Sequence, residues 1–157
     1  MTSHPTRRDL IAPLIAVALL PGCSIYHLAV PRSVRVHAIE FHVADGANDD
    51  TPIAVDIAYV SDNSALTEEL AQMTAEDWFT RRAQLRRDFR DDLDVASWEL
   101  VPGTFRPREQ PEPPKVSRAA FLFARYHTPG PHRYRLTDAE EDIVVKLEAD
   151  DFSLAAR

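Results

Sequence analysis

The chain has 157 residues, 45% of them hydrophobic and 27% charged, with a net charge of −7, one cysteine, four glycines and twelve prolines. This is the composition of one globular domain and not of a disordered chain, and 25 acidic against 18 basic side chains exclude a protein whose main work is neutralising nucleic-acid phosphates. Four glycines leave no G-x-G-x-x-G or G-x-x-x-x-G-K-[ST] phosphate cradle, and one cysteine excludes an internal disulfide and a cysteine-based zinc cluster.

The first 22 residues read as a leader. Arg7 and Arg8 form a positive start, and residues 10–20 (LIAPLIAVALL) are an apolar run of signal-peptide length, too short for a helix to span roughly 30 Å of hydrocarbon. Leu20-Pro21-Gly22-Cys23-Ser24 resembles the bacterial lipobox, which makes Cys23 the predicted lipidation site and Ser24 a residue that favours the outer membrane. Thr6-Arg7-Arg8-Asp9-Leu10-Ile11 resembles a twin-arginine export motif, and a Sec signal that carries two arginines fits equally well. The expected organisation is a signal peptide over 1–22, a lipidated tether over 23–32, and a domain over 33–157 with a helical insertion at 64–94.

In the domain, residues 34–43 alternate as Val34, Val36, Ala38 and then shift phase to Ile39, Phe41, Val43, which predicts a strand with a bulge near Ala38 and Ile39. Residues 44–51 (ADGANDDT) are rich in turn formers, and residues 52–60 resume alternation with Ile53, Val55, Ile57 and Tyr59 on one face. These two strands read as either a long hairpin or a pair of sandwich strands. Residues 65–73 predict a short helix. Thr74-Ala75-Glu76-Asp77 predicts a capping box opening a second one, with Trp78, Leu85 and Phe89 as its apolar stripe and its end among Asp91, Asp92 and Asp94.

Strand pattern returns at residues 95–101 and stops at Pro102-Gly103. Residues 105–115 hold four prolines and predict an extended polyproline-like surface loop. Residues 116–126 are apolar on both faces, as in a central buried strand. Short strands follow at 132–136 and around Ile143, Val145 and Leu147, with Phe152 and Leu154 closing an edge. Six or seven strands and one helical insertion make a mainly β chain, for which a β-sandwich is the economical architecture.

No catalytic grouping stands out. His27, His37, His42, His127 and His132 lack metal-site spacing, although His37 with His42 and His127 with His132 could approach in pairs; no G-x-S-x-G elbow is present. Arg82, Arg86 and Arg90 recur at i, i+4 and i+8 beside Arg81 and Arg87. They read as a contact for anionic groups or, more economically, as a solvated face balanced by Asp88, Asp91 and Asp94 through Arg87–Asp91 and Arg90–Asp94 pairs. The acidic loop lacks the regular ligand spacing of a calcium loop.

The segments Pro52-Ile-Ala-Val-Asp-Ile-Ala-Tyr59, Trp98-Glu-Leu-Val-Pro-Gly103 and Ala119-Ala-Phe-Leu-Phe-Ala-Arg-Tyr126, in this order after the lipobox, resemble the TssJ (VasD-type) lipoproteins of type VI secretion systems. The resemblance implies a transthyretin-like or immunoglobulin-like β-sandwich held at the periplasmic face of the outer membrane by acylated Cys23. It also implies a non-catalytic, cofactor-free role in binding the TssM-like periplasmic part of an inner-membrane secretion component through the loop between the first two strands. Asp45, Asn48, Asp49 and Asp50 are the expected contact residues. A periplasmic lipoprotein holding a small ligand or metal on its sandwich is the alternative.

Overall fold

A computed structural model describes residues 33–111, 117–136 and 142–156. Cys23, His27, the leader and the tether lie outside the described residues. Eight strands form two four-stranded sheets among those described. One has the order β4-β1-β7-β8, from β4 (Phe105–Glu109), β1 (Ala38–Val43), β7 (Asp142–Leu147) and β8 (Phe152–Ala156). The other has the order β3-β2-β5-β6, from β3 (Leu93–Leu100), β2 (Ile53–Val60), β5 (Ala119–Ala124) and β6 (Arg133–Leu136). Neighbours are antiparallel except β1 and β7, which run parallel. Helices α1 (Ser64–Gln72) and α2 (Ala75–Asp88) are inserted between β2 and β3. The chain is therefore a mainly β-sandwich with a helical insertion between its second and third strands, and β1 and β2 are sandwich strands in different sheets, not a hairpin.

Burial explains the sequence patterns strand by strand. Val34, Val36 and Ala38 face inward, then Ile39, Phe41 and Val43 do, so the inward phase changes between Ala38 and Ile39, and the β1–β4 register shifts between Ile39 and Phe41. Strands β2 and β5 have two buried faces because two cores meet on them. Val55, Ile57, Tyr59, Ala120 and Leu122 pack between the sheets, while Ala58, Val60, Phe121 and Phe123 pack beneath the helices with Leu66, Leu70, Trp78 and Leu85. The Trp78 indole stacks on Phe123 with centroids 4.9 Å apart and rings 8° from parallel.

Three expectations are corrected. The proline-rich segment is not a loop from its start: Phe105–Glu109 pairs with β1 as an edge strand, a position where Pro107, with no N–H to donate, is tolerated. Helix α2 ends at Asp88 with Phe89 as its cap, before the aspartates, and the chain enters β3 directly at Leu93. The expected Arg87–Asp91 and Arg90–Asp94 pairs are consequently absent; Arg87 donates to Gln84 Oε1 at 2.7 Å.

The helices are fastened by polar contacts at defined points. Asn63 caps α1 by accepting from Leu66 N at 2.9 Å and donates to Asp92 Oδ2 at 2.9 Å beyond the end of α2. At the start of α2, Asp77 N donates to Thr74 Oγ1 at 3.1 Å and Thr74 N donates to Asp77 Oδ2 at 3.3 Å, which completes the predicted capping box. The decisive fastening is Asp56, a carboxylate at 1% exposure on the helix-facing side of β2. Its Oδ2 accepts from Trp78 Nε1 at 2.8 Å and from Arg82 NH1 at 2.7 Å.

Two outcomes follow from these contacts. Asp56→Ala leaves the indole N–H without its acceptor and Arg82 without its anion, so chemical denaturation is expected to show a loss of about 2 to 4 kcal/mol. The hydrogen bonds from Thr74, aided by the charge of Arg81, hold the Asp77 carboxyl below its ordinary range. A lowered folded-state value means that Asp77 contributes stability at neutral pH and loses it as pH falls from about 4 downward. Asp77→Asn is therefore expected to flatten the acid limb of the stability curve, measured as urea midpoint against pH.

Candidate functional site

Because β1 and β2 belong to different sheets, the segment between them has to cross one end of the sandwich. It does so through a left-handed run: Gly46 (φ 73°), Asn48 (53°), Asp49 (55°) and Asp50 (59°) all have positive φ. Asn and Asp are the side chains that enter this region at least cost, which accounts for the composition of the loop.

Asn48 holds the crossing in place. Its side chain, at 2% exposure, donates through Nδ2 to Thr51 Oγ1 at 2.9 Å and accepts at Oδ1 from the backbone N–H of His127 at 2.6 Å. Its own N–H donates to Ala149 O at 2.9 Å. One residue thus joins the β1–β2 crossing, the β5–β6 turn and the β7–β8 turn. Around it, Ala44 N donates to Leu147 O, Gly103 N to Ala44 O, and Thr128 Oγ1 to Asp150 O.

The β5–β6 and β7–β8 turns are bound by a second set of contacts. Tyr126 donates its hydroxyl to the carbonyls of Asp151 (2.9 Å) and Glu148 (3.2 Å). Burial, with the Asp151 charge adding to it, pushes the phenol well above its ordinary range and keeps it a donor. The buried His132 ring faces Asp151 Oδ1 through Nδ1 at 2.9 Å and Thr128 O through Nε2 at 2.8 Å. Gly130 makes room for that ring, since a Cβ there would stand 2.7 Å from Nε2.

What this end offers to solvent is acidic. Asp45, Asp49 and Asp50 of the crossing are exposed, as are Glu148, Asp150 and Asp151 of the β7–β8 turn. Of the four residues expected to meet a partner, three stand on the surface, and Asn48 is directed inward as the support of the loop. Sequence reasoning had no direct sign of this, although an Asn beside two Asp in a turn is the residue type able to bond backbone in three directions.

The remaining candidates fall elsewhere. His42 is exposed, hydrogen-bonded to Glu40 Oε1 at 2.7 Å, and His127 is exposed, whereas His132 is used inside the fold. Among the described residues no three His, Cys, Asp or Glu side chains converge so as to hold a metal ion. Within the arginine stripe, Arg82 turns inward to Asp56 and Arg81 pairs with Glu69 at 2.6 Å, while Arg86 and Arg90 are exposed. The signal for Arg82 lay in β2: a lone Asp in a strand apolar on both faces has to be met by donors. An open cleft of about 370 Å³ lies between the start of α1 and the β5–β6 side of the sheet, bordered by Asn63, Thr67, Arg118 and Arg135.

The strand order, the parallel β1–β7 pair and the helical pair after β2 define a β-sandwich of one particular plan. The overall fold is similar to that of the type VI secretion lipoprotein TssJ1 from Pseudomonas aeruginosa, at a TM-score of 0.56 and 18% identity, over 80% of this chain and 97% of that one. It is similar as well to that of Lip from Serratia marcescens, a membrane-bound component of the type VI secretion system, at a TM-score of 0.55 and 13% identity, over 81% of this chain and 99% of that one. No family model matches the sequence, and no curated protein matches it by sequence. Among the described residues no helix is long and apolar enough to cross a membrane.

The support given by Asn48 is testable. Asn48→Ala removes the acceptor of His127 N–H and places a Cβ-only side chain at positive φ. It is expected to destabilise the domain by about 1 to 3 kcal/mol and to raise amide exchange at His127 and at position 48 itself above that of the strands, read by hydrogen–deuterium exchange.

Proposed function

We propose that this chain is a lipid-anchored periplasmic structural component of a type VI secretion membrane complex, tethering an inner-membrane secretion protein to the outer membrane. The observation that carries the reading is the fold: nearly the whole length of two type VI secretion lipoproteins is covered by the match to this sandwich. The sequence supports it independently through Cys23, placed at the end of an apolar leader of signal-peptide length.

The direction of the domain agrees with such a role. The described chain enters beside β5, where Val34 N donates to Ser117 O at 2.9 Å, and β1 runs from there toward the acidic loops. With Cys23 acylated, the ten residues 23–32 reach at most about 36 Å, so the entry end stays within that distance of the bilayer and the loop end is free to turn away from it. Several acyl chains at about 0.8 kcal/mol per buried CH₂ make the attachment stable. In this reading Asp45, Asp49 and Asp50 meet the periplasmic part of the partner, and Asn48 holds the loop in the shape that presents them. The role is that of a connector and calls for no catalysis.

The test is affinity isolation from solubilised envelopes with wild type and Cys23→Ser in parallel. Wild type is expected to fractionate with outer membranes and to bring down an inner-membrane secretion component, while Cys23→Ser is released into the soluble periplasmic fraction. Failure of wild type to retain such a component overturns the connector role, and a Cys23→Ser protein that stays on the membrane overturns the lipid anchor.

A further inference from the structure

The turn between β3 and β4 carries an apolar feature that the acidic loop alone does not explain. Among the described residues three large hydrophobic side chains are strongly exposed, and two of them, Val101 at 52% and Phe105 at 57%, flank Pro102-Gly103-Thr104. An isolated exposed apolar side chain is ordinary; two on one rigid tip, joined to a charged loop, are a different surface. The tip is rigid because Thr104 Oγ1 donates to Val101 O at 2.6 Å, Val43 N donates to Thr104 O at 2.9 Å and Gly103 N donates to Ala44 O at 3.2 Å. The Phe105 ring is propped edge-on against His42, with centroids 4.9 Å apart. The turn also touches the acidic loop directly: Gly103 has φ 71°, and a Cβ on it would lie 2.6 Å from Asp45 Oδ1.

We infer that Val101 and Phe105 form the apolar anchor of the partner contact, and that the surface they enter is an apolar recess bordered by Lys or Arg side chains. This rests on the reading of the loop end as a partner-binding surface. Charge complementarity sets the border, since Asp45 stands beside the tip, Asp49 and Asp50 are exposed in the same loop, and carboxylates are met best by cations. The arrangement, an apolar pair next to a charged rim, is the anatomy of a protein interface, in which aromatic anchors supply most of the retained energy. Because the tip is already ordered, little freedom is lost when it docks. The two parts consequently act on different rates: the carboxylates steer approach and give it salt dependence, and the anchor slows departure.

The experiment is binding kinetics of the detergent-solubilised full chain against the purified periplasmic part of the same organism's inner-membrane secretion component, at low and high salt. Val101→Ser with Phe105→Ser is expected to speed dissociation about tenfold with association nearly unchanged. Asp45→Asn with Asp49→Asn and Asp50→Asn is expected to slow association about tenfold and to remove most of its salt dependence. Phe105→Leu, which keeps an apolar tip, is expected to dissociate nearly as slowly as wild type, and unchanged circular dichroism verifies the fold of each variant. If the double serine variant leaves at the wild-type rate while the asparagine variant binds slowly, the anchor is overturned and the loop reading stands. If the wild-type chain does not bind, both are overturned.

Discussion

A carboxylate at 1% exposure has to be met by donors, and the arrangement of the helical layer answers that requirement at Oδ2 of Asp56. Trp78 and Arg82, one turn apart on α2, supply an indole N–H and a guanidinium to the same oxygen, so the helix can lie over β2 in one rotational setting. An all-apolar interface would permit small rotations and slides; a shared oxygen does not. The setting propagates, because Ala75 N at the head of α2 donates to Pro131 O in the β5–β6 turn, and that turn is bound in turn to Asn48 through His127. A charge buried in the middle of one strand thereby helps to determine the shape of loops at the end of the sandwich.

Local features were legible in the sequence, and features made by distant partners were not. The phase change at Ala38 and Ile39, the Thr74–Asp77 capping box and the doubly apolar β5 are written in neighbouring residues, where periodicity and cap chemistry act directly. Strand β4 was hidden because prolines were read as excluding a strand, whereas an edge position leaves Pro107 free of any obligation to donate. The bond between Asp56 and Arg82 spans 26 positions, so a half-exposed arginine that reaches in to a buried carboxylate looked like part of a solvated stripe. At the loop end, composition marked the turn that crosses the end of the sandwich but could not tell the inward-facing Asn48 from its outward-facing neighbours, since turn propensity is indifferent to which side chain the rest of the fold captures.

That loop end combines strain with rigidity. Three consecutive non-glycine residues in the left-handed region are unfavourable, and each such position persists only where its surroundings over-determine it. Here the surroundings are hydrogen bonds with two other turns, one through the Asn48 side chain and one through its backbone N–H. A loop held in this way presents its carboxylates in a fixed pattern.

The parallel pairing of β1 with β7 has a consequence for how the molecule comes into being. Ile39 lies opposite Ile143, more than a hundred positions further along the chain, and β1 meets its other neighbour, β4, only after the helical layer and β3 have been passed. The sheet containing β1 therefore cannot assemble from the amino end as synthesis proceeds, and closing so long a loop places the domain among slowly folding, high-contact-order topologies. The first strand waits for nearly the last one. The other sheet, whose strands all lie between Ile53 and Leu136, can close without that wait.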